Sequence, residues 1–295
     1  MRKILLTIVA IGFVLFAYQA NAAEIIPYGS FNYKLSNNEN SSGKSYSKLE
    51  DNGSSIGVEV IDLGVEGDTI TGFAKLEVGV DTDDSGSDTF DSKLAYVGLD
   101  SDMGSLSVGR QSHPFTDNIG GKTSIFNVYG GGSDWNYGSR SSNSLKYSTT
   151  QSGLTLDTIG IVDGSSTNTN AFDEFEVTIS TKLLGSDISV GYADDVNSDI
   201  SYWGVSGSTV LGPLTVSSSY TIKDASVDKY GLEATASYSI FSVGYGDKEG
   251  TGVSYTAGVS HDLNKSVSVY AEGEMKDLDS GSDTTSWSIG SKFTF

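Results

Sequence analysis

The chain has 295 residues, 18 basic against 38 acidic side chains, a formal charge of −20 and no cysteine. The missing cysteines exclude disulfide staples, thiolate metal sites and cysteine nucleophiles, and the acidity excludes the basic surface that nucleic-acid binding requires. With 36 glycines and only 3 prolines, the length suits one large all-β domain of strands and turns, or two smaller domains.

The first 22 residues stand apart. Arg2 and Lys3 precede an apolar run from Ile4 to Tyr18, and Ala20-Asn21-Ala22 has the small-x-small form of a cleavage site. A signal peptide over residues 1–22, cut after Ala22, is expected. The alternative, a membrane anchor, needs about 20 apolar residues, and this run has only about fifteen. Losing the two charges of Arg2 and Lys3 takes the chain from −20 to −22. No apolar run long enough for a transmembrane helix follows.

From Ile26 to Leu35 apolar and polar residues alternate, with Asn32 and Lys34 on one face, as in a strand whose two sides meet different surroundings. A polar loop is expected from Ser36 to Gly53. Strands are then predicted over 56–61 and 70–81, where Ile70, Ala74, Leu76, Val78 and Val80 oppose Thr71, Lys75, Glu77 and Gly79. An acidic loop follows, then strands over 93–99 and 106–111. The stretch from His113 to Ser139 breaks the rhythm. Its middle, Phe126 to Gly132, is too glycine-rich for a strand interior, and a loop this long is usually functional or disordered. Strands resume over 143–148, 154–161, 175–183, 188–192, 201–210, 214–222, 230–238, 241–245, 253–260, 267–276 and 286–295.

The total is about sixteen strands, with short turns alternating with longer Asp-, Asn-, Ser- and Gly-rich loops, as in an up-and-down barrel. A soluble β-sandwich would hide its apolar face in a shared core. Here that face carries aromatics near strand ends, such as Trp287, Phe293, Phe295, Tyr220, Tyr238, Phe241 and Tyr245, while the other is Ser, Thr, Gly and Lys. Apolar outside, polar inside and aromatic belts at both rims describe a transmembrane antiparallel β-barrel in lipid. Residues 23–295 are expected to form it.

Three segments resemble the general porins of Gram-negative outer membranes. These are Ser54 to Glu59 with Asp62-Leu63-Gly64 and Gly72 to Glu77; Lys93 to Leu99 with Gly104 to Gln111; and the terminal Lys292-Phe293-Thr294-Phe295. The resemblance is specific over 54–147 and elsewhere mainly one of pattern. It implies a trimeric sixteen-stranded channel in outer-membrane lipid and lipopolysaccharide, delivered by the barrel assembly machinery through Phe295. It also implies that the third extracellular loop, 113–139, folds into the lumen as a constriction.

On that resemblance Asp117 falls in the family's acidic stretch, and Val128 stands where a constriction glutamate is usual, leaving Asp117 and Asp134 as the acidic side with Tyr129 beside them. On the opposing wall Ser30 and Ser55 replace basic residues, Glu59 replaces a frequent lysine, and Lys93 matches a lumenal arginine. Period-two parity places Lys75, Glu77 and Lys146 on the same polar face. Arg140 resembles the arginine that opens the strand after the loop. Arg110 shares parity with the outward Leu106 and Val108, which suits a subunit interface, paired with acids of a neighbour's 81–91 loop, better than lipid; the other reading is an arginine snorkelling at the rim.

Enzyme chemistry is not expected. Neither His113 nor His261 has a serine in a recognisable nucleophile context. His261 is expected in a solvated turn, and His113 as a loop residue or, less simply, a pH sensor. Asp81, Asp83, Asp84 and Asp88 lack EF-hand spacing, which leaves a solvated loop as the default over weak calcium binding. No cofactor is implied. The expected function is passive diffusion of small hydrophilic solutes with a weak cation preference from the acid excess. Two alternatives remain: a substrate-selective channel using Tyr129, Trp135 and Tyr137 as an aromatic track, and a non-conducting surface barrel.

Overall fold

The computed structural model describes residues 23–40, 42–64, 69–83, 88–136, 138–162 and 171–295. The signal peptide expected over 1–22, Asp84 and Tyr137 lie outside the described residues. The first strands are β1 (Glu24–Glu39), β2 (Ser45–Asp51), β3 (Ser55–Leu63), β4 (Ile70–Val80), β5 (Phe90–Ser101) and β6 (Gly104–Ser112). A short helix, α1 (Pro114–Asn118), and a 3-10 turn, Gly120–Lys122, follow within the long loop. Next come β7 (Arg140–Gln151), β8 (Leu154–Ile161), β9 (Glu174–Leu183), β10 (Ser186–Asp195), β11 (Ile200–Leu211) and β12 (Leu214–Asp224). The chain ends with β13 (Lys229–Tyr238), β14 (Phe241–Lys248), β15 (Gly252–Asn264), β16 (Val267–Leu278) and β17 (Thr284–Thr294).

Each strand pairs antiparallel with the next, except that β2 and β3 both lie against β1, and β17 returns to β1 with Phe31 opposite Phe293. Closure leaves no edge, the condition for a sheet to cross a bilayer. β2 and β3 both pair with β1, at Lys34–Glu50 and Gly29–Ile56, so they are one strand interrupted at 52–54 and the barrel has 16 strands. Gly53, at φ 85°, makes the break. The polar loop expected from Ser36 to Gly53 is corrected here: only 40–44 connects the strands. Residues 45–51 show no apolar–polar alternation; Leu49 stands opposite Leu35 on the outward face and Glu50 opposite Lys34 on the inner one, and Tyr46 and Leu49 are exposed.

Burial is inverted relative to a soluble protein. Asn32, Ser36, Ser107, Thr178, Ser206, Thr221 and Ser288 are buried, whereas Val97, Leu106, Val190, Val205, Val243 and Ile289 are exposed. Aromatics form belts at two levels of the apolar face. Trp203 meets Tyr192 at 4.5 Å and Tyr245 meets Tyr255 at 5.6 Å toward the long-loop end. Phe31 stacks on Phe295 at 6.3 Å toward the short-turn end, where the Phe295 backbone exchanges two hydrogen bonds with Gly29. Among the described residues no helix is long and apolar enough to cross a membrane; here strands do the crossing.

Candidate functional site

The segment from His113 to Asp134 lies along the polar face of the sheet and is fastened there by four buried glutamates. Glu176 of β9 holds the base. One carboxylate oxygen sits 2.6 Å from His113 Nδ1, and the other accepts the Phe115 N–H at 3.0 Å. The free N–H groups of a helix start are thereby partly satisfied. His113 Nε2 lies 2.9 Å from Ser141 Oγ. His113 is therefore a fully buried brace rather than a plain loop residue, and the structure does bring a serine against it. His261, expected in a turn, is an exposed residue inside β15, opposite Val269.

α1 docks through Phe115 and Ile119, which form a small apolar cluster with Ala193 and Tyr202. Glycines make the room. Gly191 and Gly204 stand opposite one another in β10 and β11, and a Cβ on Gly204 would lie 2.8 Å from the Phe115 ring and 2.9 Å from Ile119. Asn118 donates to Thr178 Oγ1 at 2.7 Å and Asp157 Oδ2 at 3.0 Å, and its carbonyl accepts from Ser206.

Further along, Glu233 of β13 accepts from Thr123 Oγ1 at 2.8 Å. At the tip, Glu272 of β16 takes four N–H bonds: Asn127 N at 2.6 Å and its Nδ2 at 3.1 Å on one oxygen, Val128 N at 2.8 Å and Tyr129 N at 3.2 Å on the other. Glu274 accepts from Gly130 N at 3.3 Å. The break in the second strand serves the same end, because Asn52 Nδ2 reaches the Asn127 carbonyl at 3.0 Å.

The residues singled out by sequence fall into separate groups. Glu59, Lys75, Glu77 and Lys93 are brought together on the polar face of β3 to β5: Lys75 pairs with Glu59 at 3.2 Å, and Lys93 lies 3.9 Å from Glu77 and donates to the Gly53 carbonyl at 2.9 Å. The Tyr28 hydroxyl donates to Glu77, and its ring lies 4.9 Å from the Lys75 ammonium. These lysines are not a bare cationic wall, since each has a carboxylate partner. Lys146 donates to the Ser112 carbonyl at 3.2 Å and lines a polar cavity of about 260 Å³ with Tyr96, Gln111 and Asp157.

Asp117 is exposed on α1, but Asp134 is not an open acid. It is buried, accepts from Ser219 at 2.8 Å and bonds to Glu233. Burial pushes its carboxyl above the usual aspartate range. Val128 contributes its backbone N–H to Glu272, and the Tyr129 hydroxyl donates to Asn38 at 3.1 Å. Trp135 is held elsewhere, its backbone N–H on Thr221 and its indole N–H on the Tyr230 carbonyl. Tyr129 and Trp135 thus bond to different strands, Tyr129 to β1 and Trp135 to β12 and β13. Among the described residues no cluster of His, Asp and Glu is arranged to hold a metal, and Asp83 accepts from the Asp51 N–H near Lys48.

A model of the Gram-negative porin family matches residues 7–281. The chain belongs to the Gram-negative porins. No curated relative matches its sequence. Among solved structures, the anion-selective porin from Comamonas acidovorans superposes with a TM-score of 0.79 at 16% identity, covering 93% of this chain and 100% of its own. OmpF of Salmonella typhi, solved with daunomycin, gives 0.74 at 17%, covering 92% and 97%. A loop-deleted OmpT from Vibrio cholerae gives 0.75 at 17%, covering 93% and 100%. At such identity these likenesses bear on the fold alone.

This porin is therefore a multi-pass barrel of the bacterial outer membrane. In the porin, Arg110 stands opposite Ala95 on the apolar face and donates to the Ser92 carbonyl at 3.1 Å and to Ser142 Oγ at 3.3 Å. Arg140 is exposed where β7 begins. Sequence reasoning missed Glu176, Glu233 and Glu272. Their one signal is a glutamate at a polar-face position within an alternating strand, which sequence does not distinguish from a solvated lumenal acid.

Proposed function

We propose that this porin is a passive, water-filled diffusion channel for small hydrophilic solutes and ions, and not an enzyme, with segment 113–139 lying inside the lumen and setting its width. The observation that carries this reading is the fastening of the segment, from base to tip, to buried glutamates on the polar faces of β9, β13 and β16. In a closed barrel with its apolar face toward lipid, that face encloses the lumen. With Val128 at the tip and Lys75 and Lys93 each paired, the segment narrows the channel by bulk more than by a transverse field. The open acids, Asp117 among them, favour a weak cation preference.

The channel works as a homotrimer, with Arg110 at the subunit interface; the V. cholerae OmpT neighbour is described as a trimer form. Lipopolysaccharide surrounds the long-loop end, and Phe295 is the recognition point for the assembly machinery. Planar bilayers with solutes of graded size test the main reading: stepwise conductance with a size cut-off is expected. An electrically silent barrel would favour a structural surface protein instead. Reversal potentials in a salt gradient test selectivity, and anion preference would overturn the cation assignment. Light scattering of Arg110→Glu tests the interface, with dissociation expected and an intact trimer counting against it.

A further inference from the structure

Trp135 is surrounded by ammonium groups. Lys248 Nζ lies 4.3 Å from its ring centroid, Lys223 Nζ 5.1 Å and Lys229 Nζ 5.7 Å. The three come from adjacent strands, with Lys223 opposite Lys229 across β12 and β13, and Lys248 opposite Gly231 in β14. All share the face of the buried Thr221, Gly231 and Gly246, at the long-loop end of their strands. Among the described residues none of them forms an ion pair within 4.0 Å. In a chain of net charge −20, three cations without carboxylate partners around one ring is a departure from the general balance.

The acids nearby are otherwise engaged. Asp134 bonds to Ser219 and Glu233, Glu233 also to Thr123, and Tyr230 takes up both Asp247 and Glu249. Asp224 and Asp228 are exposed at the strand ends. Lys248 donates to the Gly132 and Asp134 carbonyls, at 2.8 and 3.1 Å, and the Asp134 and Glu233 carboxylates act on it only from beyond ion-pair distance. The indole platform is fixed at its N–H and at its backbone. Cation–π attraction offsets part of the repulsion among the ammoniums, and an anion bridging them would offset more.

We propose that Lys223, Lys229 and Lys248, arrayed on Trp135, form a binding site for small soluble polyanions that carry two or more charged oxygens, as phosphates and polycarboxylates do. Lysine suits such ligands as a point charge. A lipid headgroup is the poorer occupant, because lipid meets the opposite face, where Tyr220 and Tyr230 are exposed. A solute crossing the channel would meet the site near the mouth, and this part of the proposal rests on the channel reading.

Inorganic pyrophosphate is the probe. In a Trp203→Phe/Trp287→Phe background Trp135 is the sole indole, the chain having 3 tryptophans. Titration of the detergent-solubilised protein, against sodium chloride at matched ionic strength, should change its fluorescence saturably. Lys223→Gln/Lys229→Gln should raise the half-saturating concentration about tenfold or more, and Lys223→Arg/Lys229→Arg should restore it. These two lysines are chosen because Lys248 also holds the loop. No saturable change, or an equal response in the glutamine variant with barrel circular dichroism retained, overturns the site. Pyrophosphate added on the loop side of a bilayer should block current in the unsubstituted protein and not in the glutamine variant. A fluorescence response from a barrel that passes no current would keep the site and remove the channel; current without a response would do the reverse.

Discussion

Replacing Glu272 by glutamine tests the mechanism where it is most concentrated. The carboxylate is 6% exposed and receives four N–H bonds, three of them from the backbone of Asn127, Val128 and Tyr129. Glutamine keeps one acceptor oxygen but sets an NH₂ against the pair of donors formerly on the other oxygen, Val128 N and Tyr129 N. Two hydrogen bonds to a charged group, at roughly 1.5–3 kcal/mol each, put the loss at about 3–6 kcal/mol. That is comparable to what is left at the tip: Gly130 to Glu274, worth about 1.5–3 kcal/mol, and the neutral bonds Tyr129 to Asn38 and Asn52 to Asn127, about 0.5–1.5 kcal/mol each. The tip should loosen at 128–129 while Glu176 and Glu233 hold the base and Glu274 still holds Gly130. Single-channel recording should then show a larger and noisier conductance, and limited proteolysis should cut within 127–132. Wild-type conductance with an uncut tip would refute the idea that Glu272 holds the loop at its working position.

Gly204→Val should wedge α1 off the wall, since its Cβ would meet Phe115 and Ile119 below 3.0 Å; about 1–3 kcal/mol of overpacking is expected, read as a lower melting temperature against Gly207→Ala, whose Cβ meets only the Asp187 carbonyl at 3.6 Å. Glu59→Gln with Glu77→Gln should free Lys75 and Lys93 and move the reversal potential toward anions; an unchanged value would show that these pairs lie away from the ion path. Val128→Glu should move it toward cations, and no shift would place the loop outside the constriction. Asp117→Asn should reduce cation preference more than Asp134→Asn. Asp134 is buried against Ser219 and Glu233 while Asp117 is exposed, so the Asp134 charge is withdrawn from the ion path; equal effects would contradict that assignment.

The strands were legible because lipid and water impose different residues on alternate faces. That signal faded where it had no cause. Residues 45–51, Ser-Tyr-Ser-Lys-Leu-Glu-Asp, carry a single aliphatic side chain, Leu49, so the pattern carries no period. The glutamate anchors were illegible for a different reason. Glu176 lies 63 positions from His113, and Glu272 lies 144 positions from Val128. Nothing local separates an acid that clamps a backbone from one that lines water.

The sequence by itself determined an all-β barrel with its apolar face outward, because period-two patterning and aromatic belts are properties of single strands. It also marked 113–139 as the interruption. Only the tertiary structure decided what that interruption rests on, that Asp134 is withdrawn into the wall, that Lys75 and Lys93 are paired, and that Lys223, Lys229 and Lys248 converge on Trp135. The lysine pairs and the lysine cluster depend on the register of neighbouring strands, and the fastening of the segment depends on closing the sheet. Closure brings strands far apart in the chain to one enclosed face, and the charges that meet there are set by register.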